Sequence, residues 1–266
     1  MLADSLALIA DAWHNLSDVI SLLLAWGAHY LSSRPATLKR TYGLGRVSIL
    51  ASLLSAVLLL FALGAISWEA IQRFFAPQEV KGSVVITVAA IGVVINTATA
   101  LLFASGQKQD LNIRAAYLHM AADAGVSLGV VIAGGAIMLT GWLWLDPVIS
   151  LLIVFVVLLG TWNLLKDSLN LSIDAVPKNI DIAKIKEYLQ ALPNVSGIHD
   201  LHVWALSTRQ NALSVHLISI NDKIDNALIC EIQEELNKNF NIGHATIQVE
   251  YEKSENFCLL NHTYCR

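Results

Sequence analysis

Residues 115–140 read Ala-Ala-Tyr-Leu-His119-Met-Ala-Ala-Asp123-Ala-Gly-Val-Ser-Leu-Gly-Val-Val-Ile-Ala-Gly-Gly-Ala-Ile-Met-Leu-Thr140. Such a run is long enough to cross a bilayer, which takes about 20 apolar residues. It nevertheless carries an imidazole and a carboxylate one helical turn apart. Groups of this kind are costly at membrane depth, so they are functional candidates by default.

Working outward, three more apolar spans stand out at 48–71, 83–105 and 144–165. A fifth stretch, 5–31, is long enough but contains Asp11, His14 and Asp18. The breaks between spans hold turn formers or charge, among them Arg34-Pro35, Pro77 with Lys81, and Gly141 with Asp146-Pro147. The whole chain agrees with this reading. Its 266 residues are 55% hydrophobic and only 14% charged, with mean hydropathy +0.58. Soluble domains carry about 25% charge, so an ordinary globular enzyme is excluded. A net charge of −4 argues against a nucleic-acid partner, whose footprint would be basic. Of the 17 basic and 21 acidic residues, 16 fall within 1–165 and 22 after it, which implies two different solvents.

Arg34, Lys39, Arg40 and Arg46 occupy the first loop, and Lys108 and Arg114 the third. The excess of basic residues places these loops, and everything after the last span, on the cytoplasmic side. Five spans then put Met1 on the far side. A helix that starts so close to residue 1, without a basic leader, is expected to lack an upstream partner helix.

The first span repeats the pattern of the fourth. His14 and Asp18 stand four apart, as do His119 and Asp123. Residues four apart on a helix share a face, with Cβ atoms about 5–6 Å apart. Two such helices face to face offer two nitrogens and two oxygens around one point, a donor set suited to tetrahedral Zn²⁺. Cd²⁺ or Co²⁺ would accept similar ligands. Asp11 is either an outer acceptor that orients His14 or an interfacial residue, and His29 reads as interfacial. Small residues around the second motif (Ala121, Ala122, Ala124, Gly125, Ser127 and Gly129) predict close helix packing there.

After about Asp174 the pattern becomes that of a small soluble domain. An amphipathic helix is expected over 180–192, strands over 198–206 and 212–220, a helix over 224–240 and a third strand over 245–251. This order is an α+β layer with helices on one sheet face. Candidate ligands recur in it: His199, His202, His216, His244 and Glu250. His199 and His202 are an odd number apart, so they are not expected to share a strand face. The tail adds Cys258, His262 and Cys265, which with His244 form a candidate tetrahedral site; a disulfide is not expected in a reducing compartment. Cys230, inside an amphipathic helix, reads as core.

The sequence resembles the cation diffusion facilitator family of zinc transporters. The resemblance rests on Ser5 to Asp18, Arg40-Thr-Tyr-Gly-Leu-Gly-Arg46, Leu111 to Asp123, Gly141-Trp-Leu-Trp-Leu-Asp146-Pro147 and His199-Asp-Leu-His-Val-Trp204. It implies a membrane all-α helical bundle, with five helices here and six in the family, followed by a cytoplasmic α+β ferredoxin-like domain. The expected divisions are 1–172, 173–252 and a tail of 253–266. It further implies a homodimeric antiporter in the plasma (inner) membrane that exports Zn²⁺ from the cytoplasm in exchange for protons. The transport site maps onto His14, Asp18, His119 and Asp123. His199, His216 and Glu250 map onto a regulatory cytoplasmic site, where Gln248 replaces the usual His. The 40–46 loop has neither His nor Asp, so the additional loop site of some members is not expected. Two rival readings are a truncated, non-transporting metal sensor and an intramembrane metallohydrolase. The latter lacks the extra Glu of an H-E-x-x-H motif.

Overall fold

The computed structural model describes residues 5–32, 34–76, 81–104, 111–220 and 225–251. Within its helices some side chains lie outside this description, among them those of Asp11, His14, Asp18, His29 and His119. Five long helices come first: α1 (Leu6–Ser32), α2 (Val47–Phe75), α3 (Gly82–Ala104), α4 (Leu111–Thr140) and α5 (Leu145–Ser172). Then follow α6 (Ile182–Gln190), β1 (Val195–Ala205), β2 (Asn211–Ser219), α7 (Asn226–Phe240) and β3 (His244–Tyr251). Among the described residues, four helices are long and apolar enough to cross a membrane, and they lie in α2 to α5. The expected count was five. α1 is long enough at 27 residues, but Asp11, His14 and Asp18 reduce its apolar character.

The chain divides into two compact units, residues 1–22 with 55–163, and residues 23–54 with 164–266. The first unit is a helical bundle whose core contains Ala10, Leu63, Ile66, Val85, Ala89, Val130, Ile153, Val154 and Val157. Close helix packing in it is seen between α3 and α4. Among the described residues, a Cβ added to Gly125 or Gly129 meets nothing within 4 Å, and Ala121 and Ala122 are exposed, whereas Ser127 is fully buried. The tight approach is at Gly134, where a Cβ would sit 3.0 Å from Ile86 Cγ1 and 3.2 Å from Val85 Cγ1 of α3. Small size permits approach; the helix crossing decides which small residue uses it.

A buried polar knot closes one end of this bundle. Asp146, 1% exposed at the start of α5, accepts hydrogen bonds from Ser5 Oγ at 2.5 Å and from the Leu6 backbone N–H at 2.8 Å. It caps α1 from another helix, satisfying a backbone donor that hydrocarbon could not. Arg73 Nη1 lies 3.8 Å from the same carboxylate and Arg73 Nη2 is 2.8 Å from Glu69.

In the second unit, β1 pairs antiparallel with β2, and β2 pairs parallel with β3. A parallel pair needs a crossover, which α7 provides. Asp181 caps α6 and Asp225 caps α7 through side-chain oxygens, and Asn241 ends α7 in the left-handed conformation. Ile185, Leu189, Ile232 and Leu236 cover Val203, Leu213, Val215 and Leu217 on one sheet face. Cys230 is exposed, contrary to the core reading. Ile232 and Leu236 set the inward stripe of α7, and a residue two before Ile232 is rotated about 200° from it.

The 34–46 loop packs against this sheet domain. Arg46 Nη2 lies 2.6 Å from Asp174 Oδ1, and the Thr208 N–H donates to Ser48 Oγ at 3.1 Å. A Cβ on Gly45 would stand 2.6 Å from the Leu206 carbonyl oxygen, so only glycine allows this approach.

Candidate metal centre

From Leu213 onward β2 alternates. Leu213, Val215 and Leu217 are buried in the core, leaving Ser214, His216 and Ile218 on the other face. The register places His199 of β1 opposite His216, and His216 opposite Gln248 of β3. Glu250 is two residues beyond Gln248 and therefore on the same face.

This row brings His199, His216 and Glu250 together, each presenting one ligand atom within 4.8 Å of the others. His199 Nε2 is 3.1 Å from Glu250 Oε2, and His216 Nδ1 is 2.9 Å from Glu250 Oε1. The imidazoles meet edge to face with centroids 4.8 Å apart. Gln248 Nε2 donates to Glu250 Oε1 at 3.0 Å. The position that lacks the expected His therefore orients the carboxylate.

His202 belongs to the same face as His199, which corrects the parity expectation. The register slips between His199 and His202, so that His202 pairs with Ser214. One extra residue is accommodated by a bulge, with Asp200 at φ 54°. Asp tolerates that conformation better than most side chains.

The same bulge points Asp200 at both histidines, with Oδ1 2.8 Å from His202 Nε2 and Oδ2 3.6 Å from His216 Nε2. The hydrogen bond from His202, and then the surrounding imidazoles, hold the Asp200 carboxyl below the usual carboxylate range against an opposing effect of burial. Asp200 was not among the residues singled out from sequence. Its signal was an Asp inside a strand pattern, where that residue is depleted.

Of the residues expected to form the tail site, Cys258, His262 and Cys265 lie outside the described residues. His244 opens β3 opposite Ala212. It is about 13 Å along the strand from Gln248, and it packs edge-on against Tyr42 at 5.6 Å between centroids.

In the bundle, His14 and Asp18 are one turn apart on α1, and His119 and Asp123 one turn apart on α4. Asp123 is 3% exposed and Ser127, one turn on, is fully buried. The side chains of His14, Asp18 and His119 lie outside the described ones.

Residues 1–171 match the family described as the cation efflux transmembrane domain, and residues 177–252 match the cation efflux protein cytoplasmic domain. The metal cation efflux system protein CzcD of Cupriavidus metallidurans is 37% identical over 96% of this chain and 81% of its own. The zinc transporter ZitB of Escherichia coli is 38% identical over 94% and 80%. The cadmium, cobalt and zinc/H⁺-K⁺ antiporter of Bacillus subtilis is 37% identical over 94% and 82%.

Proposed function

The chain belongs to the cation efflux family, the cation diffusion facilitators, and on that premise we propose that it exchanges cytoplasmic Zn²⁺ for protons through a site made by His14, Asp18, His119 and Asp123. Membership makes the protein a multi-pass inner-membrane transporter of divalent metal cations with its C-terminal domain in the cytoplasm. The choice of zinc and the proton counter-ion are the proposal.

The observation that carries the reading is Asp123, a carboxylate 3% exposed within a helix long and apolar enough to span a membrane. Burial there is tolerable when a cation is its partner. Zn²⁺ requires neutral imidazoles and ionised carboxylates, so binding displaces protons and release on the far side lets them return. Two carboxylates also neutralise one divalent ion. In vesicles containing the protein, Asp123→Ala is expected to abolish Zn²⁺ uptake driven by a proton gradient. Undiminished uptake would overturn the site.

The reading extends to a regulatory ion held by His199, His216 and Glu250 in a homodimer. The donor set fits a zinc ion: two imidazoles and a carboxylate already converge, and among the described residues His199 Nδ1 is buried without a hydrogen-bond partner. Asp200 beyond His216 is the outer carboxylate that commonly fixes the ring of a ligating His. Such an ion would tie β1 to β3 across β2 and stiffen the domain. Zinc that raises the melting temperature of the native protein more than that of His216→Ala supports this extension. An equal rise in both refutes it.

A further inference from the structure

Asn96 lies inside the apolar run Ile91-Gly-Val-Val-Ile-Asn96-Thr-Ala-Thr-Ala100 of α3. It is 7% exposed, and among the described residues its buried Nδ2 has no hydrogen-bond partner. An unmet amide donor is costly to bury, and hydrocarbon supplies no water to relieve it.

The position of Asn96 follows from the packing of α3 on α4. Gly82, Val85, Ala89, Asn96 and Ala100 recur at helical spacing and form the buried stripe of α3. On α4 the corresponding buried stripe runs through Asp123, Ser127, Val130, Gly134 and Ile137. The stripes meet where Val85 touches the Gly134 position, while Gly82 lies against Gly134 and Met138, so the helices run antiparallel. Asn96 is eleven residues on from Val85, and Asp123 is eleven residues back from Gly134. Eleven residues make about three turns, so both side chains remain on the facing stripes at the same level.

Resting on the transport-site reading above, we propose that Asn96 is a positioning residue for the ion: its amide N–H donates to the oxygen of Asp123 that does not hold the metal. A carboxylate that ligates through one oxygen leaves the other needing a donor, and in hydrocarbon only a protein group can provide it. A neutral amide does this without adding a positive charge that would repel the cation. α3 thereby contributes a polar group to a site otherwise built from α1 and α4.

The test is Zn²⁺ uptake by vesicles holding the full chain, together with calorimetric Zn²⁺ binding in detergent. Asn96→Leu keeps the volume and removes the donor. It is expected to raise the KM and the dissociation constant about 10–100-fold, the usual cost of losing a ligand's outer partner, with the maximal rate little changed. Asn96→Ser, which restores a donor, should recover part of that loss. A folded Asn96→Leu protein with native KM and native binding overturns the inference. If Asn96→Leu does not fold, Asn96→Ala and Asn96→Ser are compared: weaker binding by Ala than by Ser supports the inference, and equal binding refutes it. Asp123→Ala separates the two readings. If it transports normally, the transport site itself is wrong; if it is inactive while Asn96→Leu is native, only the role of Asn96 falls.

Discussion

The two units gather nitrogen and oxygen donors by different geometric means. In the bundle, His119 and Asp123 share a face because they are four apart on one helix. In the sheet domain, His199, His216 and Glu250 are 17 and 34 residues apart along the chain, and meet because neighbouring strands place them in one row. Helical pairing is local, so it survives any change that leaves the helix intact. Sheet pairing depends on register, so a single bulge decides which side chains belong. The difference also reaches solvent. Asp123 is buried at 3% exposure, whereas Asp200 keeps 23% of its side chain accessible and needs no membrane to be polar.

The contrast is broken most severely by Asp123→Ala, for which loss of transport is expected while zinc binding by the cytoplasmic unit persists. Calorimetry on the inactive protein checks the second half. His216→Ala should do the reverse, weakening the cytoplasmic ion about 100-fold or more while uptake at saturating Zn²⁺ continues. A flux assay and a binding titration on the same preparation compare the two.

Gly45→Ala attacks the packing of the loop on the sheet domain. A methyl group 2.6 Å from the Leu206 carbonyl oxygen forces a backbone shift and should cost about 1–3 kcal/mol. Thermal melting of the full chain would register it. An unaltered melting temperature would show that the close approach is not maintained.

Asp200→Asn sharpens the account of the bulge. It keeps a side chain tolerant of positive φ but removes the charge facing His202 and His216. Zinc affinity should fall about tenfold, less than for His216→Ala, because Asp200 acts through the ring and not on the ion. The smallest effect is expected from Cys230→Ser. An exposed thiol on α7 should change stability by no more than about 0.5 kcal/mol, whereas a core thiol would register clearly in chemical denaturation.

The elements of the cytoplasmic unit were legible because their signals are local. The apolar stripes of both helices mark them, although Asp181 and Asp225 start them two residues later than expected, and the alternation through Leu213, Val215 and Leu217 announces a strand. The residues that were misread depend on neighbours elsewhere in the chain. Cys230 looked like core because its helix is amphipathic, but the stripe is centred on Ile232 and Leu236. His202 looked out of phase with His199 because periodicity assumes an unbroken strand, and Asp200 at φ 54° breaks it. Among the described residues the tight approach of α4 falls at Gly134, where the crossing brings α3 against it, a position the sequence does not mark.

Sequence alone determined what is periodic: apolar spans, the paired His and Asp one turn apart, the cytoplasmic side and the order of the sheet domain. Each follows from hydropathy or spacing within one element, which a linear chain records directly. Tertiary structure decided what requires two elements at once. It aligned His199, His216 and Glu250, brought Asp200 against two histidines, set Asp146 over the start of α1, and placed Asn96 level with Asp123. Register, bulge and crossing angle arise from packing between segments, and no single segment contains them.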